Sequence, residues 1–265
     1  MAELPVLNTL WVEGILSYVE QVCLTSAVAR GHKVVLYTYF DVVGVPQGVE
    51  VRDGREVMSE DYLVKYQKSG SWALAANIFR YKIMDIKNVV WIDADVYLVK
   101  PIKNNFSAYL FGWQDGFLIN NAVLSLEKNG VLTQALVDFV TQQNIIPPWL
   151  SWRKKLRRQL RALAGLRPLR LADQGWGTSG PKALTHFAKQ LNLTHHAAPR
   201  DVFYPLPFEK AELLFDPEAD VESFITERTI AIHLWNERIK VYKHQPPPEG
   251  SFMHRICAKH GVATG

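Results

Sequence analysis

The segment NVVWIDADVYLVKP, residues 88–101, decides the fold prediction. It begins as an apolar, β-branched run, which is typical of a buried strand. Asp93 and Asp95 follow, with a single residue between them. Because strand side chains alternate between faces, both carboxylates lie on one face. Two adjacent carboxylates repel each other and resist burial, so the pair indicates either a turn or a site for a hard divalent cation.

The segments around this strand predict an α/β fold with a mostly parallel sheet flanked by helices. We predict a single domain over 1–265, with the basic amphipathic segment 149–170 as an excursion from it. In chain order we predict strand 9–14, helix 15–30, strand 33–39, helix 71–86, the strand that precedes Asp93, strand 117–126, helix 129–143, a glycine-rich loop over 172–181 that leads into a helix, strand 228–236 and a proline-rich polar tail.

The composition is that of a globular protein, with 48% hydrophobic and 21% charged residues. The net charge of +4 is too small to indicate a general nucleic-acid binder. Cys23 and Cys257 lie far apart and outside any CxxC motif, which argues against a disulfide framework and a zinc site. We see no signal peptide and no bilayer-spanning stretch, and we predict a soluble cytoplasmic protein.

Six short motifs follow one another between Trp11 and Asn236. They are LWVEG with Trp11, ANIFRYKIM with Asn77 and Arg80, WIDADVYLVKP, LINNAVLSL with Asn120 and Asn121, WGTSGPKALT, and IAIHLWN with His233. In this order they resemble the glycosyltransferases of family 32, which include α-1,4-galactosyl- and α-1,4-N-acetylglucosaminyltransferases. We identify the chain as a bacterial polysaccharide-type member of that family.

The resemblance implies a GT-A fold, which is Rossmann-like, and a hexosyltransferase that uses a UDP-sugar and Mn²⁺ or Mg²⁺ and retains the anomeric configuration. Asp93 and Asp95 would hold the metal together with His233. An isolated histidine in an apolar strand is often only structural, but neutral imidazole suits Mn²⁺. Trp11 and Tyr39, at the ends of the first two predicted strands, would flank the uracil.

The helix that carries Arg80 would contact the donor. Arg80 either is a surface charge or binds a phosphate or a sugar hydroxyl through two guanidinium nitrogens. We assign both Arg80 and Asp93 to nucleotide binding. Asn77 stands where the family has an aspartate, and it can hydrogen-bond a donor sugar without carrying charge. Asn120 and Asn121 are further donor-sugar residues, but they lie on opposite faces of their strand, so we expect at most one to line the crevice.

The segment ADQGWGTSGP, residues 172–181, is either a flexible surface loop or part of the site. In the second interpretation Asp173 and Gln174 are catalytic, because retaining chemistry needs polar groups beside an anomeric carbon that develops positive charge. Trp176 would stack on the acceptor, and the helix that begins after Gly180 could donate N–H groups to a phosphate.

The basic segment combines exposed charge with regularly spaced apolar residues. This pattern has three interpretations: a solvated helix face, a nucleic-acid-binding patch, or an amphipathic helix that lies on the surface of an anionic membrane. We favour peripheral contact with the inner face of the cell membrane through 149–170, and a glycan acceptor carried on a lipid. Two other functions stay open: a non-catalytic sugar-nucleotide or glycan-binding protein of the same fold, and a nucleic-acid-associated protein.

Overall fold

The computed structural model describes residues 3–106, 108–142 and 145–264. The strands are β1 (Leu7–Leu10), β2 (Gly14–Ile15), β3 (Val34–Thr38), β4 (Val42–Val43), β5 (Val49–Asp53), β6 (Val90–Ile92), β7 (Val96–Leu98), β8 (Leu110–Trp113), β9 (Ile119–Ser125) and β10 (Ala231–His233). The helices are α1 (Tyr18–Ala29), α2 (Ala73–Ile86), α3 (Val131–Thr141), α4 (Trp152–Leu163), α5 (Pro181–Gln190), α6 (Arg200–Phe203), α7 (Asn236–Ile239) and α8 (Phe252–His260).

The central sheet has six strands in the order β5-β3-β1-β6-β9-β8. Strands β5, β3, β1 and β6 run parallel, whereas β9 is antiparallel to both β6 and β8. The α/β prediction, with a mostly parallel sheet between helices, is therefore confirmed. This is the architecture that the family resemblance implies.

Side chains of alternate strand positions enter two apolar clusters, one on each face of the sheet. In β3, Val34 and Leu36 belong to the cluster that includes α1, α8 and β10, whereas Val35 and Tyr37 belong to the cluster that includes α2, α3 and α5. Strand β3 is thus apolar on both faces, as expected for a strand covered on both sides.

The chain leaves the central sheet at the two aspartates. The Asp93 N–H donates to the carbonyl of Ala122 at 2.8 Å at the end of β6, and the chain then turns into β7. Strand β7 pairs with the antiparallel β10, which sets His233 opposite Val96. Strand β7 therefore continues the chain beyond Asp93 and Asp95 into a second small sheet. Its partner β10 brings His233 to the two carboxylates.

The C-terminal segment differs from the predicted polar tail, because it contains helix α8. Ser251 caps this helix by accepting from the His254 N–H at 3.2 Å. Phe252, Met253 and Ile256 are buried on one side of the helix. The proline-rich stretch before α8 led to the prediction of an irregular tail. The amphipathic helix that follows it packs against α1.

Helix bounds elsewhere lie within a few residues of the predictions. The predicted helix 129–143 corresponds to α3, and position 143 lies outside the described residues, as does position 144 before the basic segment. Helix α4 forms within the basic segment, and none of its residues is buried. Among the residues that the structure describes, no helix combines the length and the apolar character that a membrane span requires.

Candidate active site

A cavity of about 350 Å³ opens where β1 and β6 end. This is the edge at which open α/β sheets bind ligands. Its wall combines acidic, basic and amide side chains with several tryptophans. The residues that carry the argument below are Trp11, Asn77, Arg80, Trp91, Asp93, Asp95, Asn120, Asn121, Trp176, His233, Trp235 and Asn236.

Asp93, Asp95 and His233 form one group in this wall. Each offers a ligand atom, and these atoms all lie within 4.8 Å of one another. His233 Nε2 lies 3.2 Å from Asp95 Oδ2. The turn after β6 supplies the carboxylates and β10 supplies the imidazole, so the pairing of β7 with β10 assembles the group.

Asp93 and Asp95 are held by different partners. Asp93 Oδ1 accepts from Arg80 Nη2 at 2.5 Å and from Trp91 Nε1 at 2.7 Å. Asp95 Oδ2 accepts from the backbone N–H of Asn236 at 2.7 Å. Within the described part of the chain, the other oxygen of each carboxylate accepts no hydrogen bond. Each aspartate therefore keeps one oxygen for a ligand.

The two carboxyl groups differ in their tendency to ionise. Burial, helped by the neighbouring Asp95 charge, raises the pKa of Asp93 above its usual value although Arg80 opposes this. Burial also disfavours ionisation of Asp95, but the charge and hydrogen bond of His233 and the Asn236 N–H outweigh it and lower the pKa of Asp95 to about 2. Of the two carboxyl groups, Asp95 therefore ionises more readily.

The donor set fits a divalent cation. Two carboxylate oxygens suit Mg²⁺ or Mn²⁺, and an imidazole nitrogen shifts the preference toward Mn²⁺. His233 Nδ1 is buried and has no hydrogen-bond partner among the described residues. Unpartnered buried nitrogen is costly in a protein without a ligand, so this orphaned atom also points to a bound group.

Arg80 is not a surface charge, since only 4% of the residue is exposed. Besides Asp93, it donates from Nη1 to the Asn121 carbonyl at 2.6 Å, and its guanidinium lies 4.9 Å from the Trp91 ring centroid. Its Nε has no partner within the described ranges. Arg80 thus lines the cavity and holds Asp93, with two of its nitrogens already committed to the protein.

Asn77 belongs to a buried chain of hydrogen bonds. Its Nδ2 donates to Ser179 Oγ at 2.9 Å, and its Oδ1 accepts from Asn121 Nδ2 at 2.9 Å. Tyr66 lies 2.7 Å from Ser179 Oγ, and Tyr81 accepts from Asn121 at 3.1 Å. This chain ties α2, β9 and the loop before α5 together beneath the cavity.

Residues 171–264 match the family model described as the alpha 1,4-glycosyltransferase conserved region. The matched stretch contains His233, and the unmatched residues before it supply the two carboxylates of the same group. The chain is a glycosyltransferase, and its matched region is similar to the alpha 1,4-glycosyltransferases. The resemblance inferred from the six motifs is thereby confirmed.

Among solved structures, the PaToxG glycosyltransferase is similar to this glycosyltransferase with 13% sequence identity and a TM-score of 0.44. The similarity covers 72% of this chain and 71% of that one. No curated protein matches the sequence significantly.

Two of the predicted aromatic contacts lie in the cavity wall of the glycosyltransferase. Trp11 follows β1 directly, and its Nε1 is buried without a partner in the described residues. Trp176 stands in the loop before α5 and is half exposed. Both rings are therefore accessible from the cavity.

Asn120 and Asn121 both contribute to the cavity wall, although we expected at most one of them. Asn120 donates to Gln114 Oε1 at 2.8 Å, whereas Asn121 points to Asn77. They stand at the start of β9, where the strand enters the sheet. The two faces of a strand are both accessible at its end, which the alternation rule does not capture.

The structure does not bring Tyr39, Asp173 or Gln174 to the cavity wall. Tyr39 is buried against Phe79, and its hydroxyl donates to the Met58 carbonyl at 2.6 Å. Because its strand ends at Thr38, the ring turns into the core rather than toward the site where uracil was expected.

Asp173 and Gln174 instead hold the loop that follows the basic segment. Asp173 accepts from Arg167 Nη2 at 2.9 Å and from the Arg170 N–H at 2.8 Å. Gln174 accepts from Arg158 Nη2 at 2.7 Å. Their side chains point back to the basic segment because this loop begins with a 3₁₀ turn, a feature that the glycine-rich pattern does not reveal.

Trp235 and Asn236 line the cavity, and Glu20 contacts Asn236 from behind; none of the three was predicted from the sequence. Glu20 is fully buried and accepts from the Asn236 side-chain amide at 3.1 Å. Trp235 takes a left-handed conformation, with φ 61°, between His233 and Asn236. Such conformations concentrate at functional sites. The sequence signal for Glu20 is its capping box with Ser17, which explains the helix start but not its contact with Asn236.

Proposed function

We propose that this glycosyltransferase transfers a hexose or N-acetylhexosamine from a UDP-sugar to a glycan acceptor, with a divalent cation and with retention of the anomeric configuration. The Asp93–Asp95–His233 group in the cavity wall is the observation that carries the proposal. We take 1–265 as one catalytic domain. The retention of configuration rests on the family resemblance.

In this proposal Asp93, Asp95 and His233 hold Mn²⁺ or Mg²⁺. The bound ion would supply positive charge for the leaving diphosphate. The chain supplies the support: Arg80 and Trp91 orient Asp93, while Asn236 fixes Asp95. These contacts keep the carboxylates in place before the substrate arrives, which is the preorganisation on which electrostatic catalysis depends.

The donor would lie along the cavity from the metal group toward β1 and α2. Trp11 flanks the uracil, and Asn77, Asn120 and Asn121 offer their remaining amide hydrogen-bonding capacity to the sugar. Trp176 at the rim stacks on the acceptor. Asp173 and Gln174 hold the loop that carries Trp176, a positioning role instead of the direct catalytic contact that the sequence suggested.

The acceptor in this proposal is a glycan on a lipid carrier, as in polysaccharide synthesis, at the cytoplasmic face of a membrane. The basic segment 149–170 provides the peripheral contact. We propose no nucleic-acid partner, because the basic segment carries a row of leucines rather than an aromatic stacking platform.

The decisive experiment measures UDP release from a panel of UDP-sugars with and without Mn²⁺. We expect release from one donor, dependence on the cation, and a loss of roughly 100-fold or more in Asp95→Asn, because the charge that holds the cation is gone. Asp216→Asn is the matched control, since Asp216 is exposed and lies outside the cavity wall.

Two results would contradict the proposal. Cation-independent UDP release that Asp95→Asn leaves intact would remove the metal assignment. UDP-sugar binding by calorimetry without release from any donor, even with acceptor glycans present, would instead favour the non-catalytic binding protein, for which the uncharged Asn77 is the supporting observation.

A further inference from the structure

Helix α4 carries a row of large apolar side chains that face solvent. Trp152, Leu156, Leu160 and Leu163 have exposed fractions of 69%, 45%, 53% and 83%. At about 100° per residue these four positions fall within roughly a quarter-turn of one another, so they form one continuous row. We refer to these four residues as the α4 stripe.

The opposite side of α4 contacts the protein through polar groups. Lys155 and Arg158 are the less exposed residues of the helix, and Arg158 Nη2 donates to Gln174 Oε1 at 2.7 Å. The amphipathic helix is therefore inverted relative to an ordinary surface helix, which turns its apolar face to the core. A contiguous exposed apolar row of this kind marks an interaction surface.

The charge around the α4 stripe selects the kind of partner. Arg153, Lys154, Lys155, Arg157, Arg158 and Arg161 all lie within α4, and no Asp or Glu occurs between 149 and 170. A partner must therefore be negatively charged at its surface and apolar just beneath it. An anionic phospholipid bilayer has this layering.

Two other occupants fit less well. A nucleic acid would pair with the basic residues but would leave the four apolar side chains in water. A second copy of the chain would bury the apolar side chains but would bring two helices of the same strong positive charge together.

We propose that the α4 stripe is a membrane-docking surface that inserts into the headgroup region of an anionic bilayer while the flanking lysines and arginines bind lipid phosphates. Arg158 links this surface to Gln174, and Trp176, two residues further along, lines the cavity. Docking would thus hold the acceptor side of the cavity beside the bilayer. The proposal rests on the membrane contact of the proposed function and specifies the surface that makes it, whereas vesicle binding is measured independently of glycosyl transfer.

The test is co-sedimentation of the full chain with vesicles of phosphatidylglycerol and phosphatidylcholine, compared with phosphatidylcholine alone. We expect binding to the anionic vesicles that weakens as salt rises. In the triple variant Trp152→Ser, Leu160→Ser, Leu163→Ser we expect at least about ten-fold weaker binding. Phe117→Ser is the control, because Phe117 is a similarly exposed aromatic residue outside α4.

The same variants separate this proposal from the catalytic one. No residue of α4 belongs to the cavity wall as described, so UDP release in solution should be unchanged in the triple variant. Undiminished vesicle binding by the triple variant, or equal binding to neutral vesicles, overturns the docking surface. Self-association of the wild type that the triple variant abolishes, without vesicle binding, overturns it in favour of a second copy.

Discussion

The side-chain amide of Asn236 donates to the buried carboxylate of Glu20 at 3.1 Å. The backbone N–H of the same asparagine donates to Asp95 Oδ2 at 2.7 Å. Lys243 also donates to Glu20, so one buried carboxylate neutralises a lysine and orients the residue that holds Asp95. The first turn of α1 is thereby connected to the metal-binding group.

Glu20→Gln should weaken this support. It leaves Lys243 without its counter-charge, and removing one member of a buried ion pair costs about 3 kcal/mol of unfolding free energy. We also expect a higher Mn²⁺ concentration for half-maximal UDP release, a readout that a loss of stability alone would not move. The double variant Glu20→Gln, Lys243→Met removes the orphaned charge and should regain stability in urea unfolding. A double variant no more stable than the single one would refute the ion-pair explanation.

Asn77→Asp should be tolerated by the fold. The Ser179 hydroxyl can reverse to donate to the new carboxylate while Tyr66 donates to Ser179, and Asn121 already donates to this position. We expect a destabilisation of about 2 kcal/mol or less, within the ordinary range for a single substitution, and a change in the preferred UDP-sugar. Leucine is similar in size to asparagine, but Asn77→Leu removes the hydrogen bonds that Asn77 makes with Ser179 and Asn121. Each buried group left unsatisfied costs about 1–3 kcal/mol. Equal stability of the two variants would contradict the hydrogen-bonded chain.

Gly180→Ala should loosen the donor side of the cavity. A Cβ there would lie 3.2 Å from Asn121 Oδ1 and from both Asn77 amide atoms, which are buried and hydrogen-bonded. We expect a loss of about 1–3 kcal/mol of stability and a higher KM for the donor. Gly175→Ala is the matched control in the same loop, because a Cβ there meets no atom of the described residues within 4 Å. Equal effects of the two substitutions would show that close packing at Gly180 is unimportant.

His32 should make stability depend on pH. It lies between the Pro5 carbonyl, 2.9 Å from Nδ1, and the Ile102 N–H, which donates to Nε2 at 3.0 Å. Nε2 must be unprotonated to accept, and burial lowers the pKa of His32 below 6.5. Below pH 6.5 the unfolded chain therefore binds a proton more readily than the folded one, so stability falls as pH falls through that range.

We expect His32→Gln to reduce this pH dependence of Tm between neutral pH and pH 5. His244→Gln, at an exposed histidine, should leave the wild-type profile unchanged. Identical profiles of the wild type and His32→Gln would exclude His32 as the source.

Several features of the site follow from local sequence. The apolar run before Asp93 predicts a buried strand, and the alternation of strand side chains predicts that the carboxylates lie together at its end. The periodicity of the basic segment predicts an amphipathic helix, which α4 confirms. The order of six motifs predicts the family. These inferences succeed because strand and helix periodicity are properties of neighbouring residues.

Other features depend on contacts between distant segments. Only the pairing of β7 with β10 places His233 beside Asp95, and only packing decides that Tyr39 turns into the core while Asp173 and Gln174 turn toward the basic segment. The direction of the α4 stripe also depends on tertiary contacts. The sequence by itself determined that α4 has an apolar side, and the tertiary structure decided that this side faces solvent. The physical reason is that periodicity specifies how side chains are arranged around one element, whereas the surroundings of each side depend on the packing of the whole chain.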